Sequence, residues 1–137
     1  MSYDIYLRGT PRECPHCGRF DIEPDCPNPT YNLTEIFDLA LTGEPLPNPT
    51  VSEGQVVLLG AATDRPRGLR VLSGRVAADT LPMIAAAQAR MADPAWTARF
   101  AALAPANGWG TVADAVSIFA TLHRLATECP THTWEIH

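Results

Sequence analysis

The sequence has no lysine; all ten of its basic residues are arginine. Together with abundant alanine this reads as codon bias, so arginine in place of lysine carries no chemical message by itself. There is no second Cys-x-x-Cys, the strong signal of a structural zinc site, and no His-Glu pair at metalloenzyme spacing, which counts against a catalytic zinc. There is no Walker loop and no dinucleotide-binding glycine pattern, so the two commonest phosphate cradles are absent. No apolar run is long enough to span a membrane as a helix, and Met1-Ser2-Tyr3-Asp4 lacks the basic-then-apolar pattern of a secretory leader. The expectation is a cytoplasmic protein with no membrane partner. A net charge of −5 also argues against broad nucleic-acid binding.

What is present is 137 residues of ordinary globular composition, enough for one domain, 1–137, with its own hydrophobic core. The sharpest chemical signature is Cys14-Pro15-His16-Cys17-Gly18. Two thiolates two residues apart can close on one tetrahedral ion. Pro15 pre-sets the turn between them and Gly18 can complete it in left-handed geometry. This is half of a structural zinc site. Cys26 is the natural third ligand, and the fourth would come from Cys129, His132, His16 or His137. Zinc, in a structural role, is the expected cofactor. Free buried thiols, a redox-active Cys-x-x-Cys and a disulfide are the competing readings.

Strand-like alternation runs from Tyr3 to Leu7, with Tyr3, Ile5 and Leu7 on one face. It returns from His132 to Ile136, with His132, Trp134 and Ile136 on one face. Antiparallel pairing of these segments would set Cys14 near Cys129 and His132. The expected fold is therefore α+β: a small antiparallel sheet of the first and last strands, packed on about four helices, with a Cys-rich loop. Residues 9–31 form that loop, too irregular to hold itself without a clamp or packing partners.

The first helix is expected from Leu33 to Thr42, with Asn32 as N-cap, Glu35 completing a capping box and Gly43 ending it. Residues 43–66 read as an insertion or connector, opened by alternating prolines. Within it, Ser52 to Ala62 fits either a helix, which is favoured, or a buried strand. Leu69 to Leu72 reads as a short strand or extended piece. A helix follows over Ala77–Ala92. Asp93-Pro94 then caps a shorter one, Ala95 to Leu103. Thr111, with Asp114 three residues on, caps the last helix, which runs to about Thr127. Its apolar face is Val112, Ala115, Val116, Phe119, Leu122 and Ala126.

Several residues could bind something. Arg65, Arg67, Arg70 and Arg75 could converge on a phosphate or carboxylate, since guanidinium groups bind oxyanions bidentately; the plain alternative is a solvated loop. Trp109, between two glycines, is either a core plug or an exposed anchor for a partner, and Tyr31 is a second anchor. His123 lies on the apolar side of the last helix, where a hydrogen-bonded core histidine is the ordinary reading. Met1 to Glu53 holds nine acids against three arginines, an acidic half that could face a basic partner.

Five features in order are similar to those of a group of small uncharacterised phage and bacterial proteins. They are the opening Met1-Ser2-Tyr3-Asp4-Ile5-Tyr6-Leu7, Cys14-x-x-Cys17-Gly18, Thr30-Tyr31-Asn32, Gly68-Leu69-Arg70 with Leu72 and Gly74, and Asn107-Gly108-Trp109-Gly110. The chain departs from that group in its insertion, about Gly43 to Pro66, and in Cys26 and Cys129. The resemblance assigns no activity. It implies a phage or prophage context, in which small proteins without enzyme signatures often modulate host machinery. The expected function is thus a non-enzymatic binding protein, a modulator or inhibitor of a host or bacterial protein. A binder of a small anionic ligand or nucleotide using Arg65–Arg75 is the alternative, and a metal- or cysteine-dependent enzyme comes third.

Overall fold

The computed structural model describes residues 2–9, 24–43 and 66–137. Among them are two strands, β1 (Ile5–Arg8) and β2 (Thr133–Ile136). There are four α-helices: α1 (Thr34–Thr42), α2 (Ala77–Ala92), α3 (Thr97–Ala102) and α4 (Val112–Glu128). The fold is α+β. The strands pair antiparallel, with Ile5 opposite Ile136 and Leu7 opposite Trp134. The register agrees with the period-2 pattern: Tyr3, Ile5, Leu7, Trp134 and Ile136 all fall on the buried face. On the other face Arg8 makes an ion pair with Glu135.

Other segments of the chain pair with β2 and with the residues just ahead of β1. Beside β1, Ser2 bridges Thr30 and the Tyr3 N–H donates to the Pro29 carbonyl at 2.8 Å. Beside β2, Gly74 N–H donates to the Trp134 carbonyl at 2.8 Å, and Trp134 N–H donates to the Arg75 carbonyl at 3.0 Å. Two strands alone would be marginal in water, so these flanking segments and the helices beneath are what make the sheet viable.

Helix α2 lies against α1 and α4. Its N-cap, Val76, has no side-chain oxygen to offer, yet its first amides are satisfied: Ala77 N–H donates to the His132 carbonyl at 2.7 Å and Ala78 N–H to Pro130 at 3.0 Å. The turn before β2 therefore serves as the cap of α2. At the far end, Arg90 reaches the Ala40 carbonyl at 2.7 Å, placing a cation on the last turn of α1. Trp134 and Phe119 are among the largest fully buried side chains. Phe37 meets Phe119 edge to face, with centroids 5.6 Å apart.

Three expectations about local structure are corrected. Asn32 is not the cap of the first helix. Thr30 caps a 3-10 turn, Tyr31–Leu33, by accepting from the Asn32 N–H, and α1 follows directly. Leu69–Leu72 is not extended but part of a 3-10 turn, Gly68–Leu72. Its start is set by Gly68 at φ +57°, whose N–H donates to the buried Asp38 carboxylate at 2.6 Å. Val116 is not on the buried face of α4: Leu125 is buried in the core instead, and Val116 is exposed. The Thr111–Asp114 capping box, the span of α2 and the Gly43 terminus are as expected. The insertion reading of 52–62 lies outside the described residues. No helix among the described residues is long and apolar enough to cross a membrane.

Candidate binding groove

The loop Asn107-Gly108-Trp109-Gly110 is built to present its tryptophan. The Asn107 side-chain oxygen accepts from the Trp109 N–H at 3.0 Å, closing a local turn. Gly110, at φ +103°, lies directly on the core: a Cβ there would come within 2.9 Å of the Leu33 side chain and 3.0 Å of the Thr30 methyl. The backbone is thereby pinned against Thr30 and Leu33 while the indole is left outside, 71% exposed. The core-plug reading of Trp109 is overturned by that exposure.

Beside the indole runs an open groove of about 410 Å³, lined by Pro29, Thr30, Leu33, Trp109, Gly110, Asp114, Ser117 and Ile118. Its size falls within the usual range of ligand pockets, about 300–1,000 Å³. Leu33, Ile118 and Pro29 make its surface mainly apolar. Asp114 is its ionisable group. One Asp114 carboxylate oxygen, Oδ2, accepts from the Thr111 N–H at 2.8 Å as part of the capping box. The sequence pointed to Trp109 and to Asp114 as a cap. It gave no sign of Pro29, Leu33 and Ile118 as groove residues, because they meet only through the fold.

The other anchor, Tyr31, faces a different cluster. Arg70 lies over its ring at 4.8 Å, over Tyr3 at 5.2 Å, and donates to the Tyr31 hydroxyl at 2.9 Å. The Tyr3 hydroxyl shares a 2.6 Å hydrogen bond with Thr34. Burial raises the Tyr3 pKa from its ordinary 10.0, against the opposing effects of the Thr34 hydrogen bond and the Arg70 cation. Asp38 sits close by in chemistry if not in sequence reading: it is buried in α1, bonded to Gly68 and 3.9 Å from Arg67 Nε. An acid flanked by Ile36, Phe37, Leu39 and Ala40 was the signal that could have found it.

The arginines do not converge. Arg67 faces Asp38, Arg70 stacks on tyrosines, and Arg75 donates to the Val71 carbonyl at 2.9 Å. Arg65 lies outside the described residues. His123 is half-buried on α4.

Of the expected metal ligands, Cys14 and Cys17 lie outside the described residues, as does His16. Cys129 ends α4, and its carbonyl accepts from the His132 N–H at 3.2 Å, so these two share one turn. The His132 ring packs against Gly9, just past β1, and its Nδ1 is buried with no hydrogen-bond partner among the described residues. Cys26 lines a separate cleft with Asp4, Ile5 and Tyr6, three or more residues short of Gly9, or about 10 Å at the rise of a strand. His137 is at the far end of the ladder, hydrogen-bonded to Glu135 at 2.9 Å, and this bond holds the Glu135 carboxyl below its usual range. Among the described residues no three His, Cys, Asp or Glu side chains come together to hold an ion. A buried imidazole nitrogen with no partner among the described residues, and a half-buried thiol in the same turn, are donor types that zinc takes.

Comparison with protein-family models, with curated proteins and with solved structures finds no match.

Proposed function

We propose that this protein is a non-enzymatic binding protein that engages a partner protein through Trp109 and the groove beside it. The observation that carries this reading is the indole at 71% exposure, held out by a loop whose backbone is pinned to the core. A rigidly presented tryptophan beside an apolar groove is the usual composition of an interface hot spot, in which one aromatic anchor supplies much of the affinity. The phage resemblance makes a host or bacterial protein in the cytoplasm the partner, and modulation or inhibition the outcome. The anionic-ligand alternative has less support, since Arg67, Arg70 and Arg75 are each engaged within the chain.

Structural zinc belongs to the same proposal. Cys129 and His132 would supply its second half, and the orphaned His132 Nδ1 supports that placement. The metal would clamp the Cys-rich loop to the turn that caps α2 and would take no part in partner binding.

Affinity capture from bacterial lysate tests the reading, using wild-type protein and Trp109→Ala at equal folded concentration. The proposal expects a specific protein retained by the wild type and lost from the variant. Equal recovery by both would overturn it.

A further inference from the structure

We infer that the Trp109 groove receives an arginine or lysine side chain carried on an otherwise apolar segment of the partner protein. This rests on the binding reading above and deepens it.

The chain sets guanidinium groups over several of its own aromatic rings. Tyr6 has the Arg8 guanidinium over it at 4.8 Å. Tyr31 has Arg70 at 4.8 Å, and Trp96 has Arg99 at 4.5 Å with Arg90 at 5.9 Å. Among the described residues, Trp109 is the most exposed of the large hydrophobic side chains, and no guanidinium of the described residues covers it. An indole face is the best of the aromatic surfaces for a cation. Here that surface is presented and left open.

The groove also carries an acid of its own. Asp114 is the ionisable residue of its lining, and no cation lines it among the described residues. The capping box engages Oδ2 of that carboxylate, and no hydrogen bond within the described residues engages Oδ1. An arginine or lysine stem would run along Leu33, Pro29 and Ile118, as such stems do on apolar surfaces, and bring its head between the indole and the carboxylate. A neutral apolar side chain would fill the groove but leave Asp114 partly desolvated without compensation. An acidic side chain would meet Asp114 as a like charge. The chain's net charge of −5 favours encounter with a basic surface over an acidic one.

The test is a titration of the intact protein with three blocked pentapeptides, Ac-Ala-Leu-Arg-Leu-Ala-NH2 and its Gln and Glu counterparts. The readout is the indole N–H resonance of Trp109, assigned by its loss in Trp109→Phe. The arginine peptide is expected to shift that resonance with an affinity at least roughly fivefold above the glutamine peptide, with the glutamate peptide weakest. Asp114→Asn should reduce the difference and leave only the part that the indole face supplies. It keeps an amide oxygen for the Thr111 cap, so loss of folding is not the cause, and an unchanged thermal midpoint verifies that. Equal shifts by the arginine and glutamine peptides, or no shift by any peptide, would overturn the inference. Either result leaves the capture experiment with Trp109→Ala to decide separately whether a partner docks at this tryptophan.

Discussion

The indole N–H of Trp134 donates to the Thr80 hydroxyl at 2.9 Å inside the core. The strand that carries Trp134 and the helix that carries Thr80 are 54 residues apart in sequence, and this bond joins them where water cannot compete. The same hydroxyl donates to the Ala77 carbonyl at 2.7 Å, so both of its roles are used. Thr80→Val keeps the shape and removes the acceptor, leaving the indole N–H buried and unsatisfied. The expected cost is about 1–3 kcal/mol. A urea titration monitored by tryptophan fluorescence checks this, and a midpoint equal to wild type would contradict it.

Two glycines in left-handed backbone make a matched pair. A Cβ at Gly68, φ +57°, would strike the Tyr3 hydroxyl, whereas one at Gly74, φ +81°, meets nothing within 4 Å. Gly74→Ala should therefore cost only backbone strain, about 1–2 kcal/mol. Gly68→Ala adds a clash with a buried hydroxyl and disturbs the Asp38–Gly68 bond, so it should be clearly the more damaging. Denaturation midpoints of the two variants, compared directly, test the ordering.

The Tyr3 phenol gives a pH dependence with a definite sign. Its pKa is raised by burial, so between the ordinary value of 10.0 and the folded value the native state holds a proton that the unfolded chain has lost. That contribution is complete below about pH 10 and is lost as pH rises toward the folded value. Tyr3→Phe should be less stable than wild type at pH 8 by about 1 kcal/mol, from the lost Thr34 hydrogen bond. The gap should narrow above pH 10. Urea midpoints for both proteins at pH 8, 10 and 11 measure it; a gap that widens would contradict the sign.

The zinc proposal is tested by elemental analysis of protein prepared without added metal. The expectation is about one zinc per chain. Cys129→Ser and His132→Ala should each reduce zinc retention, and chelator should destabilise the wild type. Metal-free protein whose thermal midpoint ignores chelator would contradict it.

The two terminal strands were legible in the sequence because alternation in two short segments, Tyr3–Leu7 and His132–Ile136, gives each an apolar face to bury; the register was not, since a slip of two residues keeps the same faces inward. The caps of α4 and the span of α2 were legible because local chemistry specifies them: Thr111 with Asp114, and apolar spacing ended by Asp93-Pro94. The 3-10 turn at Gly68–Leu72 was not, since it depends on Asp38, 30 residues earlier, accepting the Gly68 N–H. Nor was the groove: Thr30 and Leu33 meet Gly110 and Ile118 only once α4 lies against the segment leading into α1. Trp109 could be flagged from its glycine neighbours, but its exposure follows from the fit of Gly110 on Leu33, a tertiary fact. The surroundings of Arg67 and Arg70 were hidden for the same reason, because their partners Asp38, Tyr3 and Tyr31 lie elsewhere in the chain.

The most direct measurement is photo-crosslinking with benzoylphenylalanine placed at Ser117, an exposed position on the groove beside Trp109, and, as control, at exposed Thr97 on α3. The expected result is a discrete protein adduct from bacterial lysate at position 117 alone, suppressed by excess wild-type protein but not by Trp109→Ala. No adduct at 117, or the same adducts at both positions, would contradict docking at Trp109.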